Sequence, residues 1–184
     1  MVQVFHTIMR NQDFRWGKKC QCGTRGVDVK NVVMVACTFL FLTKRIDRFA
    51  DCIPKDWENG YDNVVICCTI ENQRNADCKL SIFQKLPIKH KCITAQPLIE
   101  NIEIEKYLDG IELVVVGGES DINARPLYYD WVLNIRKQCV NKNVGFEFRQ
   151  CGTYFVKDGK KYKIQTKDLI RQAKLANIDF VGNE

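Results

Sequence analysis

The sequence lacks several features that would indicate its functional class directly. No apolar run reaches the roughly 18 residues that a membrane-spanning helix needs, and residues 1–10 lack the apolar stretch and cleavage site of a secretion signal. No G-x-G-x-x-G fingerprint, P-loop or H-E-x-x-H motif is present, and no Ser/His/Asp set indicates a catalytic triad. We therefore expect no membrane partner and a site built from other residue types.

Histidine is scarce and no cysteine pair has C-x-x-C spacing. Cys20 and Cys22 form the one close pair outside an apolar run, and His6 and His90 lie far apart in sequence. Metal sites usually combine two close cysteine pairs, or one pair with nearby histidines. Cys20 and Cys22 are therefore only weak candidates for metal ligands.

Cysteine itself is abundant, with ten residues in 184. Several lie inside apolar runs, where cysteine behaves as a small hydrophobic residue; Cys67 and Cys68, for example, are expected in the core on opposite faces of one strand. A chain of this length and hydrophobic content forms a core without a disulfide framework. We expect one domain in a reducing, cytoplasmic compartment.

Five apolar runs each end in a cluster of polar or glycine residues. Short, β-rich apolar runs are typical of strands buried on both faces, as in parallel sheets, whose ligands gather at the carboxyl ends of the strands. The pattern therefore predicts a single site at one edge of a sheet. The runs and the clusters that follow them are 33–42 with 43–45, 64–70 with 71–73, 92–95 with 96–97, 113–116 with 117–120, and 144–148 with 149–150.

Helical periodicity separates some of these runs. Apolar residues recur every three to four positions in 72–86 and 128–142, which predicts helices and right-handed crossovers between parallel strands. The chain is short for a complete (β/α)8 barrel of about 250 residues. We predict an α/β fold, either a partial (β/α) barrel or an open, mostly parallel sheet of five or six strands. Residues 1–31 form an atypical N-terminal segment, with a short strand at residues 2–5, and residues 32–184 form a single domain.

The pattern changes after residue 150. Residues 154–157 and 161–164 flank Asp158-Gly159-Lys160, which predicts a β-hairpin whose Tyr154, Phe155 and Tyr162 contribute to its core. Thr166 is expected to cap a last helix, whose inward face contains Leu169, Ile170, Ala173 and Ala176.

The cluster after the fourth run contains the sharpest motif. Gly117 and Gly118 allow a tight turn and a close approach to a ligand, and Glu119 and Ser120 follow at the strand end. The alternative is a glycine-rich turn with the glutamate in solvent. Arg125 either holds a carboxylate or phosphate bidentately, or pairs with Glu119 and fixes the loop.

The other clusters supply further candidates. Lys44 and Arg45 follow one strand and point in opposite directions, so one of them faces the site and either binds an anion or makes a salt bridge. Glu71 either orients a substrate and transfers protons, or caps a helix. The remaining candidates are Asn72, Gln96, Arg149 and Gln150.

The segment 157–174 carries seven basic and two acidic residues, a net charge of +5. A basic segment of this kind either contacts a polyanion such as nucleic acid or forms a solvated face.

Six motifs, in their order and spacing, resemble the phage gp-thirty-seven/gp-sixty-eight family of unknown function, whose members look like radical-SAM-type barrels. The resemblance covers about residues 38–180. It implies that Lys44, Glu71, Glu119 and Arg125 line a pocket for S-adenosylmethionine and substrate, beside a 4Fe–4S cluster held by cysteines. The motifs are 41–45, 68–73, 95–98, 116–120 with 124–126, 131–132 and 146–152.

The chain departs from the family pattern at three places. The loop in the style of C-x-x-C-Y that would hold the cluster is missing, Gln96 stands where glutamate is usual, and Arg149 stands where lysine is usual. The chain therefore resembles the C-terminal part of such a barrel behind an atypical N-terminus.

Three hypotheses follow. The first is a radical-SAM-type enzyme or its remnant, and the second is a module that binds a nucleotide or nucleic acid without chemistry. The third is a half-protein that acts beside a partner chain or a second copy, because an incomplete parallel sheet exposes an edge strand.

Overall fold

A computed structural model describes the backbone of residues 5–8 and all of residues 38–182. Cys20, Cys22 and most of the N-terminal segment lie outside the described residues. The strands are β1 Phe5–Ile8, β2 Phe39–Thr43, β3 Val64–Thr69, β4 His90–Ala95, β5 Leu113–Gly117, β6 Leu127–Tyr128, β7 Gly145–Gln150, β8 Tyr154–Lys157 and β9 Lys160–Lys163. The α-helices are α1 Phe49–Cys52, α2 Gln73–Phe83, α3 Tyr129–Asn141 and α4 Leu169–Leu175, and three short 3-10 helices are Ile46–Arg48, Glu105–Tyr107 and Thr166–Asp168.

Six strands form one parallel sheet in the order β1-β2-β3-β4-β5-β7. The order follows the chain, so each new strand is added on the same side of the last. Right-handed crossovers between the strands from β2 onwards then place α2 and α3 on one face of the sheet. The prediction of an open, mostly parallel α/β sheet is confirmed. The first strand lies at residues 5–8, slightly beyond the predicted position.

One face of this sheet packs against the helices. Alternate residues along each strand share a face, and the residues Ile66, Cys68, Ile93, Val116 and Phe148 belong to a single buried cluster. Helix α2 adds Ala76, Leu80 and Phe83 to it, and α3 adds Val132, Ile135 and Cys139, as their spacing predicts.

On the opposite face of the sheet, the buried side chains of β3, β4 and β5 are small. Cys67, Thr69, Cys92, Thr94 and Val115 are all buried there. Cys67 and Cys68 therefore lie on opposite faces and both are buried, as predicted.

A second sheet, in the order β6-β8-β9, contains the predicted hairpin. Three sequence expectations are wrong in this region. Thr166 lies in a 3-10 helix and does not cap α4, whose N-cap residue is Asp168. Tyr162 is 47% exposed and Ile170 is 58% exposed, whereas Phe155 is buried. Tyr162 lies on edge strand β9, which has a neighbour on one side only, and Ile170 lies on the outer surface of a helix of only seven residues.

Candidate functional site

The carboxyl ends of β2, β3, β4, β5 and β7 surround an open cleft of about 430 Å³. The strands are parallel and neighbouring, so the residues that follow them meet at one edge of the sheet. Eight of the twelve predicted site residues line the cleft, together with two that were not predicted. The lining residues are Lys44, Glu71, Gln96, Pro97, Gly118, Glu119, Ser120, Asp121, Arg125 and Gln150.

Glu71 lies directly beyond β3 and is fixed by two partners. Its Oε1 accepts a hydrogen bond from Lys44 Nζ at 2.9 Å, and its Oε2 accepts one from Asn75 Nδ2 at 2.9 Å. The Glu71 side chain is only 20% exposed, whereas that of Lys44 is 62% exposed. The carboxylate therefore lies at the inner wall of the cleft and the ammonium group at its rim.

Glu119 and Arg125 form the second ion pair. The Glu119 carboxylate accepts hydrogen bonds from the Arg125 backbone N–H at 2.7 Å and from Arg125 Nε at 3.1 Å, and it also contacts the terminal guanidinium nitrogen. Again the carboxylate is the inner group, with Glu119 21% exposed against 55% for Arg125. The loop-fixing alternative for Arg125 is therefore realised, while its guanidinium still borders the cleft.

The glycines bring the backbone of this loop against the end of β7. A Cβ on Gly118 would lie 2.7 Å from the carbonyl oxygen of Cys151 and 2.8 Å from Gly152 Cα, so any side chain here would force the backbone to shift. Gln150 completes the contact, because its Nε2 donates to the Gly118 carbonyl oxygen at 2.8 Å. The backbone that leads into Glu119 is therefore held against the end of β7.

Gln96 lies at the end of β4 beside this turn. A Cβ on Gly117 would lie 3.0 Å from Gln96 Cδ, and the peptide bond from Gln96 to Pro97 is cis. Pro97 also lines the cleft. The amide of Gln96 therefore contributes a neutral polar wall between the two ion pairs.

Both inner carboxylates are ionised at neutral pH. Arg125 lowers the pKa of Glu119 by hydrogen bonding, against the opposing effect of burial. Burial by itself raises the pKa of Glu71, but Lys44, Lys79 and Asn75 together overcome it and the net shift is downward. Groups of this kind suit cation binding better than proton donation.

The charged residues that line the cleft comprise three carboxylates and two cations. The carboxylates are Glu71, Glu119 and Asp121, and the cations are Lys44 and Arg125. Asp121 is exposed at the mouth, where its Oδ1 accepts a hydrogen bond from the backbone N–H of Asn123 at 3.0 Å. The cleft therefore has an excess of one negative charge.

Four predicted residues do not line the cleft. Arg45 pairs with Asp47 at 2.8 Å, so of the two neighbouring cations it is Lys44 that faces the site. Asn72 caps α2 by accepting a hydrogen bond from the Asn75 backbone N–H at 2.8 Å. Gly117 is buried behind the turn, and Arg149 lies within β7 rather than after it.

Sequence reasoning missed Asn75 and Asp121. Asn75 lies four residues after Glu71, which is the spacing of neighbours on a helix surface, so the predicted helix start contained the signal. Asp121 directly follows the Gly117–Ser120 motif, and only the turn of the loop brings it back to the cleft.

The described residues do not contain three His, Cys, Asp or Glu side chains placed to hold a metal ion. Burial raises the pKa of the Cys68, Cys139 and Cys151 thiols to about 12 each, which disfavours the thiolate form that ligates iron. These cysteines do not fit an iron–sulfur cluster, and the weak candidates Cys20 and Cys22 fall outside the described residues.

Within residues 5–8 and 38–182, none of the helices is both long enough and apolar enough to span a bilayer. Residues 28–177 match the model of a family described as "Protein of unknown function (DUF5131)", and the chain belongs to that family. Comparison with curated proteins and with solved structures found no significant match.

Proposed function

We propose that the cleft binds S-adenosylmethionine or a ligand with the same charges, as the ligand-binding part of a radical-SAM-like barrel. The observation that supports this most directly is the arrangement of two inner carboxylates, two outer cations and an excess negative charge. S-adenosylmethionine carries an α-ammonium group, an α-carboxylate and a positively charged sulfonium. Its net positive charge complements the cleft. The kinship with the phage gp-thirty-seven/gp-sixty-eight family is part of this proposal.

The α-ammonium and α-carboxylate groups of the ligand would replace the contacts that Glu119 and Arg125 make with each other. Glu119, on its rigid turn, would accept hydrogen bonds from the α-ammonium group, and the Arg125 guanidinium would hold the α-carboxylate in a bidentate fashion. Glu71 would contribute the second negative charge towards the sulfonium end. Since both carboxylates are already ionised, binding needs no change in their protonation.

When bound beside a reduced iron–sulfur cluster, S-adenosylmethionine supplies a carbon-centred radical. The described residues do not fit such a cluster, so we derive no reaction step from it. The residues of this cleft bind and orient the ligand.

The nucleotide-binding alternative is less well supported. A phosphate group entering the cleft would approach Glu71, Glu119 and Asp121 with only two cations to offset them. Like charges at close range disfavour binding.

Calorimetric titration of the full chain tests the proposal. We expect S-adenosylmethionine to bind, S-adenosylhomocysteine to bind about tenfold more weakly because it lacks the sulfonium charge, and ATP to bind weakest. Glu119→Gln keeps the shape but removes the charge, and it is expected to weaken S-adenosylmethionine binding at least about tenfold.

Asp109→Asn is the matched control, because it removes a carboxylate that pairs with Lys142 outside the cleft. It should leave binding unchanged. Tighter binding of ATP than of S-adenosylmethionine would favour the nucleotide alternative. Equal loss in Glu119→Gln and Asp109→Asn would show that the cleft is not the site.

Iron counting separates a radical enzyme from a binding module. The full chain would be reconstituted anaerobically with iron and sulfide, beside Cys20→Ala and Cys22→Ala variants. Bound iron that both variants lose, with a visible spectrum that responds to S-adenosylmethionine, supports the enzyme. Absence of bound iron together with S-adenosylmethionine binding supports a module without radical chemistry.

A further inference from the structure

The hairpin of β8 and β9 presents an unusually basic surface. We define the lysine hairpin as residues 154–163, which contain four lysines and a single acidic residue, Asp158 at the tip. All four residues of β9 are exposed, and so is Lys157 at the end of β8. Since β9 is the edge strand of its sheet, nothing in the described part of the chain covers its outer side.

Some cations of the basic segment 157–174 pair with carboxylates and others do not. Arg171 pairs with Asp168 at 3.0 Å, and Lys174 pairs with Glu147 at 3.1 Å and Asp179 at 2.6 Å. Within the described residues, the four hairpin lysines and Lys167 have no acidic partner. On a solvated face of mixed charge, each cation would have an acidic neighbour, as Arg171 and Lys174 do. The hairpin instead concentrates positive charge that no carboxylate in the described part of the chain offsets.

Aromatic rings lie among these lysines. Lys161 Nζ is 4.5 Å from the centre of the Tyr154 ring, and Lys157 Nζ is 5.0 Å from that of Tyr129. Tyr162 is about half exposed instead of being buried in the hairpin core.

The strand register places one tyrosine and two lysines on each face of the hairpin. Tyr162 opposes Phe155 and Lys160 opposes Lys157, so Tyr162 shares its face with Lys157 and Lys160. The other face carries Tyr154 with Lys161 and Lys163. Each face therefore combines one tyrosine with two lysines.

We propose that the lysine hairpin binds single-stranded nucleic acid, with its lysines on the phosphates and Tyr162 stacked on a base. Single-strand binders combine positive charge along the backbone with aromatic rings that accept any base. An anionic membrane or a duplex would use the lysines but would not need the exposed ring. This inference concerns a surface separate from the cleft and does not rest on the proposed ligand.

The position of the hairpin makes the two surfaces neighbours. The Thr153 backbone N–H donates to the Glu119 carbonyl oxygen at 2.7 Å, and Ile164 N–H donates to the Thr153 carbonyl oxygen at 2.8 Å. The base of the hairpin is therefore attached to the loop that carries Glu119.

Fluorescence anisotropy with a labelled mixed-sequence DNA strand of about 20 nucleotides tests the inference, with the salt concentration varied from about 50 to 200 mM. In the test variant Lys157, Lys160, Lys161 and Lys163 are changed to Gln. The matched control changes four other exposed cations, Lys55, Arg74, Lys85 and Lys137, to Gln, which removes the same net charge. Circular dichroism and urea denaturation verify that both variants fold.

We expect the hairpin variant to lose at least about tenfold in affinity and the slope of log K against log salt to fall by about 2–3, since each lost phosphate contact contributes about 0.7. The control variant should lose much less. Tyr162→Ala, at constant charge, should weaken binding to the single strand about tenfold and leave binding to the duplex unchanged.

Three outcomes would overturn the inference. Equal losses in the two four-charge variants would mean that net charge alone attracts the strand. Equal binding of strand and duplex, with no effect of Tyr162→Ala, would exclude stacking. Preferred binding to equimolar phosphatidylserine–phosphatidylcholine vesicles, lost in the hairpin variant, would identify a membrane as the partner. The hairpin variants leave the cleft residues unchanged and the strand titration contains no S-adenosylmethionine, so failure here is distinguishable from failure of the ligand proposal.

Discussion

Gly118 and Gly152 pack backbone against backbone where the ends of β5 and β7 meet. A Cβ on Gly152 would lie 2.9 Å from Gly118 Cα, and one on Gly118 would lie 2.8 Å from Gly152 Cα. Side chains on either residue would separate the two strand ends. This contact sets the position of Glu119, because a Cβ on Gly152 would also lie 3.0 Å from the Glu119 carbonyl oxygen.

The first prediction follows from this contact. Gly118→Ala should lower the free energy of unfolding by about 1–3 kcal/mol, the usual cost of overpacking, because the clashing atoms belong to the backbone. Urea denaturation measures it. Gly159→Ala is the control: Gly159 has a φ of +71° and open space around its Cβ position, so alanine there meets only the conformational strain of about 1 kcal/mol. A loss of less than about 1 kcal/mol in Gly118→Ala would contradict tight packing at the strand ends.

The second prediction concerns pH. The pKa of Glu119 is lowered from 4.5 in the folded protein, chiefly by Arg125. Between the folded and unfolded pKa values the unfolded chain binds more protons, so this contribution to stability is present above 4.5 and is lost as the pH falls. Between about pH 6 and about pH 3, the free energy of unfolding should therefore fall more steeply for the native chain than for Glu119→Gln. Urea denaturation at each pH measures it.

Arg125→Gln tests whether Arg125 causes this pH dependence, because the variant removes the group that lowers the pKa of Glu119. It should flatten the same part of the pH profile. A profile that keeps its full slope in both variants would assign the acid sensitivity to other carboxylates.

The third prediction separates binding from stability at Lys44. Its side chain is 62% exposed, and exposed ion pairs contribute at most about 1 kcal/mol to stability. Lys44→Met should therefore change the free energy of unfolding by less than about 1 kcal/mol. It should nevertheless alter calorimetric binding of S-adenosylmethionine, because Lys44 lines the cleft. A clear loss of stability with unchanged ligand binding would make Lys44 a structural residue.

The fourth prediction concerns the long connection between β4 and β5. The side chain of Gln138 in α3 is buried, and its Oε1 accepts hydrogen bonds from the backbone N–H groups of Ile104 and Glu105 at 2.6 and 2.8 Å. Its Nε2 donates to the Ile102 carbonyl oxygen at 3.0 Å. Gln138→Met keeps the size but leaves these groups unsatisfied, so we expect a loss of about 2–4 kcal/mol in the free energy of unfolding.

Lys137→Met is the neighbouring control, since Lys137 is exposed on the same helix. It should change the free energy of unfolding by no more than about 0.5 kcal/mol. Similar losses in the two variants would mean that the helix, rather than the Gln138 hydrogen bonds, accounts for the effect.

Much of the fold could be predicted because it depends on local patterns. The apolar runs of β3 and β5 and the three-to-four spacing in α2 and α3 are recorded directly in the chain. The exposure of Tyr162 could not be judged in this way. Whether a strand lies at an edge depends on the order of strands, and that order is a long-range property.

The same distinction applies to the site. A polar residue after a buried strand indicates the correct edge of a parallel sheet, so the sequence pattern is enough to find Glu71, Glu119 and Gln150. Whether such a residue turns into the cleft depends on its nearest partner. Arg45 pairs with Asp47 instead of facing the cleft, and Asn72 caps the start of α2. The pattern of apolar runs does not reveal these short-range contacts.

The sequence by itself determined that the chain is an α/β protein with polar groups gathered at the carboxyl ends of parallel strands, because strand and helix periodicities are local. The tertiary structure alone decided that each inner carboxylate pairs with an outer cation, that Asp121 leaves the cleft with an excess negative charge, and that the hairpin lysines lack acidic partners in the described residues. These properties depend on distances between residues far apart in the chain. Coulombic interactions are set by such distances and by burial.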